Sequence, residues 1–153
     1  IVLLRDVLDV LASYMKWYYN NPNSFVNRHG LKNDDEKLGM LMNKDGAIAK
    51  DLEAIKNILK PENSHMACFV KYDDLINDPE GQLNRIYEFL EIPYFKHNFN
   101  NLSQLQVNNR SYDDRIVGDN MHVIRTNGIY KEENPYRSMI PQRIIDKYGH
   151  IRF

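Results

Sequence analysis

Hydrophobic and polar positions follow two periods along this chain, and the first nineteen residues show both. Ile1 to Leu4 form an uninterrupted apolar run, the pattern of a strand covered on both faces. The run stops at Arg5-Asp6. From there Val7, Val10, Leu11, Tyr14, Trp17 and Tyr18 recur at three- and four-residue steps, which predicts a helix with an apolar stripe. Asp6 stands where a carboxylate can accept the first free N–H groups and suit the positive end of the dipole. At about 100° per residue, Asp9, Ala12, Ser13 and Lys16 fall on the opposite face. The expected unit is therefore a strand, an arginine at its C-terminal tip, and a helix carrying a hydroxyl two turns up. In open α/β sheets ligands bind at that edge. A guanidinium offers a phosphate two parallel hydrogen bonds, Ser13 could add a third, and Ala12 beside it leaves room for a bulky anion. The plainer alternative pairs Arg5 with a surface carboxylate and leaves Ser13 solvated; the pattern keeps both open.

Further along, residues 20–33 read as loop, dense in Asn with Pro22 and Gly30, and Arg28 and His29 are their polar groups to watch. A helix is predicted over 34–59, broken near 43–46. Asp34 or Asp35 would cap it, and it must stop at Lys60-Pro61. Met66 to Lys71 form the second buried strand, with Tyr72 at its tip, placed like Arg5. Asp73, Asp74 and Asp78 could suggest a cation site but fit turn and cap roles better. Asp78-Pro79 opens a helix whose Leu83, Ile86, Tyr87 and Leu90 should face inward. Residues 93–119 lack periodicity. Met121 to Arg125 and Gly128 follow, and a last helix is expected over 142–148.

Composition changes little. With 153 residues, 42% hydrophobic and 27% charged, the chain suits a single globular domain over 1–153. A net charge of −1 offers no surface for nucleic acid, so any phosphate site must be a local cluster. The single cysteine, Cys68, excludes an internal disulfide and reads as a buried thiol. No run reaches the length of a membrane helix and no signal peptide is visible, so a cytoplasmic location is expected. No metal is implied.

The segment IVLLRDVLDVLASY resembles the 3′-phosphate-binding segment of sulfotransferases that use 3′-phosphoadenosine 5′-phosphosulfate (PAPS). That segment runs hydrophobic strand, Arg-Asp-Pro, then a helix with Ser eight residues after the Arg; Arg5 and Ser13 keep the spacing, and Val7 replaces the Pro. CFVKYDDLINDPEGQLNRIYEFLEIP is similar to the family's later strand, its Tyr-acidic-Asp-Leu turn and its Pro-started helix. The resemblance implies an α/β fold of the three-layer, P-loop type, with a parallel sheet flanked by helices. It implies PAPS as cofactor, held by Arg5, Ser13, Tyr72 at the adenine end, and Arg125 in a late loop beside Gly128. Sulfuryl transfer would go to a small-molecule, carbohydrate or peptide acceptor. The family's phosphosulfate-binding loop has no counterpart here, since no glycine opens a helix after a strand in that pattern. The chain is therefore expected to be the C-terminal part of such a domain, inactive alone, with its catalytic residues upstream of residue 1 and an open sheet edge that could pair in a homodimer. A nucleotide kinase of the same architecture and a non-catalytic nucleotide-binding domain are the competing readings.

Overall fold

The computed structural model describes residues 1–102, 106–111 and 128–153. Strand β1 (Val2–Leu4) pairs in parallel with β2 (Phe69–Lys71), in the register Val2 with Phe69, Leu3 with Val70 and Leu4 with Lys71. The parallel pairing is the one expected from two apolar runs joined by long helical sequence. Two details differ. Ser64–Met66 form a 3₁₀ turn rather than the start of the strand, and Met66 is exposed. The described residues also cover only one face of β1: Leu4 is buried while Leu3 is 50% exposed.

Helix α1 (Val7–Asn20) is the centre of the core. Asp6 caps it as expected, its Oδ1 accepting from Leu8 N at 2.9 Å and Asp9 N at 3.2 Å. The buried arc is wider than the predicted stripe, taking in Leu8, Ala12 and Met15 as well as Val7, Leu11, Trp17 and Tyr18. Ala12, expected on the ligand-facing side, is fully buried, because packing closes around more of the helix than sequence periodicity shows.

The Asn-rich loop after α1 contains a short helix, α2 (Phe25–Arg28). Its asparagines satisfy carbonyls that the helix end leaves free: Asn21 Nδ2 donates to Trp17 O at 2.8 Å, and Asn27 Nδ2 to Tyr18 O at 2.7 Å. The predicted long helix is indeed broken, into α3 (Asp34–Met42) and α4 (Ala47–Ile58). The cap of α3 is Asn33 rather than Asp34 or Asp35, its side chain accepting from Glu36 N at 2.9 Å. Asp34 is thereby free to accept from the hydroxyls of Tyr18 (2.7 Å) and Tyr19 (2.9 Å).

After β2 come α5 (Tyr72–Asn77) and α6 (Pro79–Phe89), the latter capped by Asp78, which accepts from Gly81 N at 3.0 Å. Neither helix contributes a buried residue. Leu83, Ile86 and Tyr87 are half-buried, and Leu90, expected to face inward, is 46% exposed. Strands β3 (Gln106–Val107) and β4 (Arg110–Ser111) form a hairpin inside the stretch expected to be irregular. Its central Asn108 and Asn109 have φ of 52° and 61°, a left-handed conformation that asparagine tolerates. A 3₁₀ helix (Pro135–Met139) then lies along α1, and α7 (Gln142–Tyr148) docks Ile144 into the core, as its sequence pattern predicts.

Candidate functional site

The sheet register places the site. Because Leu4 stands beside Lys71, the next residues of the two strands, Arg5 and Tyr72, emerge together at the C-terminal edge. The Arg5 guanidinium carbon sits 4.4 Å from the centre of the Tyr72 ring, within cation–π range. Arg5 Nε is buried and has no hydrogen-bond partner among the described residues. A buried guanidinium N–H without an acceptor is costly, and a carboxylate or phosphate oxygen would satisfy it. Two clefts open on Arg5. One, of about 290 Å³, is lined by Leu4, Asp6, Lys71, Tyr72, Arg152 and Phe153 among others. The second, of about 240 Å³, is bounded by Asp9, Lys131, Glu132 and Arg137.

Of the four binding residues expected from sequence, Arg5 and Tyr72 are thus brought together. Ser13 lies further along α1 and lines neither cleft. Its Oγ donates to Asp9 O at 3.0 Å, a back-bond within the helix, so the hydroxyl must rotate to donate to a ligand. Arg125 falls outside the described residues.

The family model of the sulfotransferase domain matches residues 1–142. The chain belongs to the sulfotransferase domain family. No curated protein and no solved structure shows a significant match. Family membership supports sulfuryl transfer as the general chemistry, and the matched span contains every candidate residue named from sequence.

In this sulfotransferase domain the cations around Arg5 come from residues that the sequence reading passed over. Lys131 Nζ lies 2.7 Å from Asp73 Oδ1 and 3.7 Å from Asp9 Oδ2. Arg137 Nε lies 3.0 Å from Asp9 Oδ1, and its Nη2 lies 3.6 Å from Asp6 Oδ1. Arg152 Nη1 lies 2.7 Å from Asp6 Oδ2. The hydrogen bond that Lys131 donates to Asp73 holds its ammonium above the ordinary lysine range; Asp9 adds to this, while slight burial and the Arg5 charge oppose it. Lys131 follows the Gly128 already singled out, and that proximity was the available signal. Arg137 and Arg152 lie outside any periodic pattern, and only folding shows what they face. Among the described residues no group of His, Cys, Asp and Glu could hold a metal ion, and no helix is long and apolar enough to cross a membrane.

Proposed function

We propose that this domain takes its sulfuryl group from PAPS and that the Arg5–Tyr72 corner grips the cofactor's 3′-phosphate end. The observation that carries the reading is the buried Arg5 Nε without an acceptor, on a guanidinium seated over an aromatic ring at the tip of two parallel strands. Arg5 would donate paired hydrogen bonds to the phosphate, and its Tyr72 contact would keep the guanidinium plane fixed. Tyr72 would lie against the adenine side. Ser13 would add a hydroxyl once released from the Asp9 carbonyl, and Arg125 would add a further positive charge. When bound, the cofactor supplies a sulfuryl group whose bond to the 5′-phosphate breaks as a bond to the acceptor oxygen or nitrogen forms, the acceptor proton leaving to a base. The chain's share in that reaction is positioning. The same proposal takes the parallel β1–β2 pair as part of a three-layer, P-loop-type sheet. The acceptor would be a small-molecule, carbohydrate or peptide hydroxyl or amine.

The test is calorimetric titration of the chain with 3′-phosphoadenosine 5′-phosphate. Arg5→Ala removes charged hydrogen bonds of about 1.5–3 kcal/mol, so affinity should fall roughly 10- to 100-fold. Unchanged affinity would overturn the reading. A thermal shift with ATP equal to that with the bisphosphate would favour the kinase-like alternative instead.

A further inference from the structure

Past α7 the chain folds back toward the site. Ile151 N donates to Tyr148 O at 3.1 Å, and Ile151 and Phe153 pack against the core. Arg152, between them, is held on the wall of the cleft that contains Arg5 and Tyr72. Its side chain is 59% exposed, and its carboxylate partner is Asp6, at 2.7 Å. Asp6 is already engaged elsewhere: its Oδ1 caps α1 and lies 3.6 Å from Arg137. Lys131, by contrast, is tied to two carboxylates, Asp73 and Asp9, and Arg137 is tied to Asp9 and Asp6. Of the three carboxylate-paired cations around Arg5, Arg152 therefore has the fewest carboxylate partners, with one further hydrogen bond from its Nη1 to Ile151 O at 3.2 Å, and an exposed ion pair is weak enough to exchange.

Charge balance supplies the reason to exchange it. A phosphate monoester is close to a dianion near neutral pH, and the cleft wall also carries Asp6, Asp73 and Asp74, so an anion there calls for cations beyond Arg5. We infer that Arg152 is a further cationic ligand for the phosphate of a nucleotide bound in this cleft, held in reserve by Asp6 until the anion arrives. The inference rests on the nucleotide reading above. On binding, Arg152 would swing from Asp6 to the phosphate and share it with Arg5. Asp6 would keep its hydrogen bonds to the α1 backbone, so the helix start would stay intact during the exchange.

Calorimetry on the full chain tests this, with 3′-phosphoadenosine 5′-phosphate as probe and adenosine 5′-monophosphate as control. Arg152→Gln should weaken bisphosphate binding roughly three- to tenfold and leave the monophosphate unchanged, since only the former carries the 3′-phosphate. Asp6→Asn keeps a capping oxygen but removes the competing charge, so it should tighten bisphosphate binding. That gain should shrink in the Asp6→Asn/Arg152→Gln double variant, because the part owed to a freed Arg152 is gone. A merely structural Arg152 would not produce this coupling. Unchanged affinity in Arg152→Gln, or a gain from Asp6→Asn that survives whole in the double variant, overturns the inference. If Arg5→Ala weakens binding while Arg152→Gln does not, only the role of Arg152 fails. If neither matters, or the wild-type chain binds no bisphosphate, the nucleotide reading fails with it.

Discussion

Asp34 shows how a single residue can couple two helices and set a pH limit on stability. Its two carboxylate oxygens accept from Tyr18 and Tyr19, joining the end of α1 to the start of α3. Burial, and then the hydrogen bond to Asp34, push the Tyr18 phenol far above its ordinary value of 10.0. Tyr19 is raised as well, first by its bond to Asp34. The folded protein therefore keeps protons that the unfolded chain releases above the ordinary tyrosine value. This contribution is fully present below about pH 10 and is lost as pH climbs beyond it, by up to about 1.4 kcal/mol per pH unit for Tyr18; Tyr19, 46% exposed, adds much less because solvent screens its bond. Tyr18→Phe should cost about 1–3 kcal/mol at neutral pH, since a hydrogen bond to a charged acceptor disappears. It should also flatten the fall of Tm between neutral and alkaline pH. An equally steep fall in the variant would show that the alkaline limit lies elsewhere.

At the scale of elements, two glycines separate conformational from steric effects. Gly39 lies within α3, and a Cβ there would meet nothing within 4 Å. Gly39→Ala should stabilise by about 0.5–1 kcal/mol through helix propensity and a less flexible unfolded chain. Gly46 caps α4 with an ordinary negative φ of −72°, so any residue could adopt its backbone conformation. Its added Cβ, however, would run into the carbonyl oxygens of Met40 and Leu41, which are backbone atoms and cannot simply rotate away. Gly46→Ala should therefore destabilise by roughly 1–3 kcal/mol. Urea unfolding midpoints of the two variants should move in opposite directions; shifts of the same sign would contradict this packing of α3 on α4. The break between those helices was legible from the turn residues around it. The cap at Asn33 was harder to read, because three successive residues could each have served.

Across the whole molecule, the packed surfaces around α1 and the ion pairs that tie residues 131–152 to it are separable supports. Leu11 is fully buried in the core, and Leu11→Ala should cost about 2–5 kcal/mol at any salt concentration. Arg137→Ala breaks partly exposed pairs to Asp6 and Asp9, so about 1 kcal/mol at most should be lost at low salt, and less at high salt where the charges are screened. A salt-independent loss in Arg137→Ala would mean that this side chain acts by packing instead. The sequence alone determined what depends on neighbours a few residues away. Asp6 caps α1, the helical pattern of 34–59 breaks before Gly46, residues 142–148 form a helix, and two apolar runs become strands. Periodicity and capping are local, so they can be read without a fold. Which strand residues meet was a matter of register, and the parallel register set Arg5 over the ring of Tyr72. The cations on Asp6, Asp9 and Asp73 come from more than fifty residues away in the chain, and the burial of Ala12 and the exposure of Leu90 follow from how the elements pack. Only tertiary structure decided these, because packing and long-range charge pairing leave no periodic trace in a single sequence.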